Sequence, residues 1–255
     1  MDIYKVRFEK LYSEFNKRDF VSPDPLQFLY DYPDVKDREI AGLIAASLAF
    51  GNIKQILKSV NTVLEKTQKS PYGFITNYSR KDFHSIFQNF KYRFVRGDDI
   101  AEFFLGIKSV INEFGSLENC FLSGYRHEDP NMLGAIEFTV KKILPAPHKS
   151  YLLTLPSRGS ACKRLNLYLR WMIRKDEVDP GGWGNLSPSK LLIPLDTHMW
   201  KACKGLKFTK RNQADLKSAL EITEAFKKIC PEDPVKYDFA LTRAGIRKTF
   251  HRGKK

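Results

Sequence analysis

Cysteine is scarce in this chain and widely scattered. Cys120, Cys162, Cys203 and Cys230 form no Cys-x-x-Cys pair and no Cys/His cluster. Zinc and iron–sulfur centres need closely spaced ligands, so no metal site and no cofactor are expected. Few, separated thiols fit a reducing cytoplasm. Long apolar runs are missing too, and none approaches the ~20 residues of a membrane span. The segment from Met1 to Lys17 is charged throughout, unlike a secretory leader. These lacks point to a cytoplasmic protein with no membrane partner. The phosphate-cradling Gly-x-x-x-x-Gly-Lys-Ser/Thr loop, the Gly-x-Gly-x-x-Gly fingerprint, the Gly-x-Ser-x-Gly elbow and the His-Glu-x-x-His helix are absent, which sets aside the chemistries they serve. Negative charge is in deficit. The 29 acidic residues face 43 Lys and Arg, a formal net charge of +14. Such an excess favours a polyanionic partner, because Lys and Arg displace condensed counterions from phosphates.

What is present is helical periodicity. The chain of 255 residues is 42% hydrophobic and 13% aromatic, enough for a packed interior over most of its length. Tyr4, Phe8, Leu11, Tyr12 and Phe15 recur at helical spacing across residues 3–18. After the turn Ser22-Pro23-Asp24-Pro25, Asp37 is placed to cap a helix whose stripe is Ile40, Leu43, Ile44, Ser47 and Leu48. Phe50-Gly51-Asn52 interrupts it, and Ile53, Ile56, Leu57, Val60 and Leu64 carry a second helix. Further helices are expected near 80–90, 98–112, 131–144, 159–174, 196–206, 212–230 and 234–248. No alternating strand pattern of useful length occurs. The fold class is therefore all-α. Two helical lobes are expected, one over 20–145 and one over 146–255 joined by residues 1–19. The basic tail from Arg247 to Lys255 reads as a solvated end.

The chemistry concentrates after residue 150. Leu155-Pro156-Ser157-Arg158-Gly159 is a Pro/Gly turn, and the helix that follows carries Lys163. Leu195-Asp196-Thr197-His198-Met199-Trp200 opens a later helix. Asp196 reads first as that helix's N-cap, with Met199 and Trp200 entering the core. A cap also fixes its carboxylate in space. Lys163 near a helix start sits where positive charge is disfavoured, which favours a free, nucleophilic amine. Trp183, in the Gly-rich loop Asp179–Asn185, is an aromatic that can stack on a base.

These residues carry a family resemblance. Asp196-Thr197-His198-Met199-Trp200 is similar to the Asp-x-His-Met-Trp segment of eukaryotic 8-oxoguanine DNA glycosylases. Ser157 to Met172 looks like the hairpin and Lys helix of the helix-hairpin-helix (HhH-GPD) DNA glycosylase superfamily. The spacing from Lys163 to Asp196 is longer than in endonuclease III-like members and resembles that of the archaeal 8-oxoguanine glycosylases. The whole layout also resembles the uncharacterised bacterial family DUF2400. The resemblance implies a two-lobed helical fold with a central cleft, and base-excision repair on double-stranded DNA containing a damaged base. It implies Lys163 as nucleophile and Asp196 as the carboxylate that assists its deprotonation and stabilises charge at C1′. It assigns Phe50 and Asn52 to a wedge against DNA, and Arg158, Gly159, Arg164 and His198 to its phosphates. Asp238 and Phe239, with Trp183, would line the base pocket. A monomer, associated with the nucleoid and acting on 8-oxoguanine with an AP lyase step, is the corresponding expectation.

The chain departs from the superfamily pattern at the hairpin. Leu-Pro-Gly-x-Gly reads Leu155-Pro156-Ser157-Arg158-Gly159, so one glycine is replaced. In the common register the nucleophile would fall at Ala161, and Lys163 lies two residues later. Two other classes stay open on sequence alone. One is a monofunctional glycosylase in which Asp196 activates water. The other is a helical nucleic-acid-binding module without chemistry.

Overall fold

The computed structural model describes residues 2–144 and 150–244. The fold is all-α, and among these residues the only sheet is a hairpin of two two-residue strands. The helices are α1 (Asp2–Phe15), α2 (Val35–Ser47), α3 (Ile53–Lys66), α4 (Pro71–Asn77) and α5 (Arg80–Phe87), followed by strands β1 (Lys91–Tyr92) and β2 (Val95–Arg96). Then come α6 (Gly97–Phe114), α7 (Leu117–Ser123), α8 (Leu133–Ile143), α9 (Lys163–Ile173), α10 (Thr197–Gly205) and α11 (Leu216–Lys227). A last helical segment covers residues 238–244. The expected start of that helix at 234 is replaced by turns. Its expected end and the basic tail lie outside the described residues.

Helix α2 lies at the centre. Glu39 through Ser47 are all buried, so this helix shows no polar face to solvent along that stretch. Its small residues let α9 approach closely. A methyl added at Gly42 would come within 3.2 Å of Leu29 and 3.3 Å of the Tyr168 ring. The buried residues form one continuous cluster from Phe8 to Phe239. The N-terminal helix joins the C-terminal half. Phe8 packs on Phe208, Phe226 and Tyr237, and Glu9 receives hydrogen bonds from Lys236 and Tyr237, each at 2.7 Å.

Caps explain most helix starts, with one reassignment. Asp34, not Asp37, caps α2 by accepting from Lys36 N–H at 2.7 Å. Asp37 lies in the first turn of α2 and turns its carboxylate to the start of α4. There it accepts from Tyr72 N–H at 2.8 Å and from the Ser70 hydroxyl. A carboxylate at the end of one helix thus satisfies an orphan donor of another.

A candidate lysine–carboxylate site at two helix starts

The turn that precedes Lys163 is fixed from outside. Pro156–Arg158 make a single 3-10 turn, and Gly159 follows in the left-handed region at φ +74°. The Ser157 hydroxyl and N–H both donate to the Glu137 carboxylate on α8, at 2.9 and 3.1 Å. Gly159 carbonyl accepts from Leu216 N–H at 3.2 Å, at the start of α11. Ser157 is therefore a tether to α8. Arg158 N–H donates to Leu155 carbonyl and Gly159 N–H to Pro156 carbonyl. The amides of 157, 158 and 159 are thus spent within the protein, and phosphate docking by the backbone at this turn, as expected from sequence, has no donors left there. Arg158 and Gly159 are exposed.

Cys162 then turns the chain into α9. It is a non-glycine residue at φ +46°, held by its N–H on the Ser160 hydroxyl at 3.1 Å and its thiol on the Thr154 carbonyl at 3.6 Å. A left-handed non-glycine residue persists only where its surroundings over-determine it. It delivers Lys163 as the first residue of α9.

Asp196 stands at the start of α10, in extended backbone, and caps that helix by accepting from Met199 N–H at 2.8 Å on Oδ1. Its other oxygen, Oδ2, accepts from Lys163 Nζ at 2.8 Å. The two helix starts thus bring together residues 33 positions apart in sequence. Both side chains remain about one-third exposed, 38% for Lys163 and 31% for Asp196, so the pair is reachable from solvent. Burial pushes the Asp196 carboxyl up. The Lys163 charge, the hydrogen bonds from Lys163 and Met199 and the charge of His198 outweigh it and hold the group below its ordinary value. Asp196 is an anion throughout the neutral range.

Beneath the pair lies a buried charge network that sequence reading missed. Arg170 on α9 and Arg174 at its C-cap are buried with Asp179 and Asp238, and the half-buried Asp176 and Asp233 flank them. Arg170 bonds Asp179 at 3.1 Å and also Asp238. Arg174 bonds Asp176 and Asp233, each at 2.8 Å, and Asp179. Burial lifts the Asp238 carboxyl to about 6 against the pull of Arg170, and it also feels the charges of Lys163 and Asp196. The signal in the sequence was the run Arg170, Arg174, Asp176, Asp179, where two cations one helical turn apart are followed at once by two anions.

The remaining sequence-predicted residues divide. His198 is exposed on the first turn of α10, beside Asp196. Phe239 is buried beneath the guanidinium groups of Arg170 and Arg243. Asn52 is exposed and caps α3 through Lys54 N–H at 3.0 Å. Phe50 does not protrude as a wedge. It is half-buried, with its ring 5.1 Å from the Tyr92 ring and the Arg164 guanidinium 5.0 Å over it. Arg164 is committed inward, donating to Ser47 carbonyl at the end of α2, and burial lowers its pKa to about 10. Trp183 is a core residue rather than a base-pocket wall. Its ring packs 5.4 Å from Phe121 and 5.3 Å from Tyr168, and its indole N–H donates to Glu39 at 3.0 Å. It is 4% exposed, which leaves no face for a base.

A profile described as a protein of unknown function, DUF2400, matches residues 24–247. The chain belongs to that family. No curated protein and no solved structure is significantly similar to it. The DUF2400 match takes in α2 through α11, and so includes both Lys163 and Asp196. Among the described residues of this DUF2400 protein, no helix is long and apolar enough to cross a membrane.

Proposed function

We propose that this DUF2400 protein is a DNA base-excision glycosylase with AP lyase activity, with Lys163 as nucleophile and Asp196 as its partner. The observation that carries the reading is the 2.8 Å contact between Lys163 Nζ and Asp196 Oδ2 at two facing helix starts, with both groups open to solvent. A lysine can attack only after losing a proton, and the Asp196 carboxylate is the acceptor in hydrogen-bond reach. The resemblance of 155–205 to the HhH-GPD glycosylases supports the same roles. The net charge of +14 supports a polyanionic substrate.

The reaction runs as follows. The damaged nucleotide leaves the stack, because C1′ is shielded within the duplex. The Lys163 amine forms a bond to C1′, and the bond from C1′ to the base breaks, with the base leaving protonated. Asp196, held by Met199 N–H, stabilises the cationic character that develops at C1′. Ring opening gives a protonated imine between Lys163 and the sugar. Loss of a C2′ proton then expels the 3′ phosphate, and water releases the enzyme. The resemblance of Asp196–Trp200 to 8-oxoguanine glycosylases makes 8-oxoguanine the favoured lesion. Arg158 and His198 are exposed and would meet the phosphates.

Borohydride reduction of the imine on a lesion-containing duplex tests this. It captures a covalent protein–DNA adduct if Lys163 attacks the sugar. A monofunctional enzyme, with Asp196 activating water, would release the base and give no adduct.

A further inference from the structure

The β hairpin carries a second surface, separate from the Lys163–Asp196 pair. Its strands pair Lys91 with Arg96 and Tyr92 with Val95, so Arg93 and Phe94 form a two-residue tip. Such tips favour Gly or Asn where φ is positive. Arg93 occupies that position at φ +52°. Phe94 is 59% exposed and stacks on Tyr151, itself 55% exposed, at 5.0 Å with the ring planes 29° apart. Lys91, Arg93 and Arg96 are exposed around this pair, and none makes an ion pair with another described residue. Two large aromatics stacked in solvent contribute little to the core, and a strained arginine at the tip adds nothing to it.

The hairpin is linked through the Phe50–Asn52 turn to the helix that carries Lys163. The Arg93 guanidinium lies so close to the Phe50–Asn52 turn that a Cβ at Gly51 would meet it at 2.8 Å. Tyr92 hydrogen-bonds Phe50 carbonyl, and Arg164, next to Lys163, covers the Phe50 ring. From its other side, Tyr151 leads through Leu152–Leu155 into the turn that precedes Lys163. Flat aromatic faces ringed by cations match one ligand chemistry closely, an unstacked nucleobase on a phosphodiester strand. Bases stack on such faces, and the flanking cations hold the backbone.

We infer that the Phe94–Tyr151 pair, with Lys91, Arg93 and Arg96, is a stacking platform for unpaired bases of a nucleic-acid strand. The inference deepens the glycosylase reading by naming where the protein holds bases outside the duplex, and it can stand without the chemistry. The test is binding of a fluorescein-labelled single-stranded DNA oligomer of mixed sequence to the full chain, over a range of salt. Phe94→Ala combined with Tyr151→Ala is expected to weaken binding roughly tenfold to a hundredfold, as loss of base stacking does. The log–log salt slope should stay unchanged, since no phosphate contact is lost. Phe94→Trp should retain the affinity. Arg93→Gln should lower the slope by about one phosphate. Both aromatic side chains are exposed, so the melting temperature reports any misfolding directly.

Unchanged affinity in the double alanine variant overturns the platform. If that variant still excises bases and binds as wild type does, the platform fails and the glycosylase reading stands. If wild type excises nothing but binds the oligomer through Phe94 and Tyr151, the glycosylase reading fails and the platform stands.

Discussion

Asp196 divides its carboxylate between two partners, giving Oδ1 to Met199 N–H and Oδ2 to Lys163 Nζ, each at 2.8 Å. One oxygen holds the start of α10 and the other holds the amine at the start of α9. The cap fixes the acid, and the fixed acid orients the lysine. Structure and chemistry therefore meet in a single side chain, and substitutions can separate them.

Asp196→Asn keeps an oxygen for Met199 N–H and removes the charge facing Lys163. Asn caps helices about as well as Asp, and the pair is too exposed for its attraction to hold much stability. The melting temperature of Asp196→Asn is expected within a few degrees of wild type. Asp196→Ala removes the cap as well and should cost about 0.5–2 kcal/mol. Base excision should fall by orders of magnitude in both. Thermal melts beside single-turnover excision measure the two effects independently.

The Arg170–Asp238 ion pair tests the buried network beneath the site. Both side chains are about 5% exposed or less, so removing one leaves the other charged in a dry interior. Arg170→Met is expected to cost about 3–5 kcal/mol. Combining it with Asp238→Leu should restore part of that loss, because no orphan charge then remains at 238. Urea unfolding of the two single variants and the double variant reads the coupling, and strictly additive losses would mean that the pair does not act as a unit.

Glu39 gives the fold a pH dependence with a definite sign. Burial raises its carboxyl to about 7, although the N–H groups of Leu117 and Glu118 and the Trp183 indole all donate to it. The unfolded chain releases this proton near the ordinary value of about 4.3. Between those two values the folded state holds a proton that the unfolded state lacks, so stability falls as pH rises. At full effect the slope is about 1.4 kcal/mol per pH unit. Glu39→Gln should be less stable overall, because its amide donors face donors. Its stability should also lose this slope between about pH 5 and 7, as followed by melting temperature against pH. A slope that persists unchanged in Glu39→Gln would assign the dependence to another group.

Local features of the sequence proved legible, and long-range partners did not. Asp196 was readable as a cap because the residues that follow it enter the core within one turn. The body of the helix expected near 159–174 was readable from Leu165, Leu169, Met172 and Ile173, but its start at Lys163, after the left-handed Cys162, was not. The resemblance assigned Arg164 to a phosphate, yet its guanidinium goes to Ser47, 117 residues away. Trp183 looked free among its glycines, but its indole meets Glu39 at a separation of 144 residues. Asp37 looked like the cap of its own helix, but its carboxylate accepts from Tyr72 N–H, 35 residues further on. In each case the residue type announced a need for a partner, and only the tertiary fold supplied its identity.

Salt dependence tests the class of ligand. A DNA-bound form that neutralises roughly 4–7 phosphates should lose affinity steeply between 50 and 200 mM salt, with a log–log slope near −0.9 per phosphate. The exposed Arg158, the hairpin cations and the overall +14 charge motivate that range. Binding that is indifferent to salt would remove nucleic acid as the partner.

The most direct measurement of the central claim is borohydride trapping on a duplex carrying a single 8-oxoguanine, with wild type compared against Lys163→Gln. The Lys163–Asp196 reading requires a covalent adduct with wild type. It requires no adduct and no base release with Lys163→Gln, whose melting temperature should remain near native because the side chain is 38% exposed. An adduct of normal yield from Lys163→Gln, or none from wild type on any damaged duplex, contradicts it.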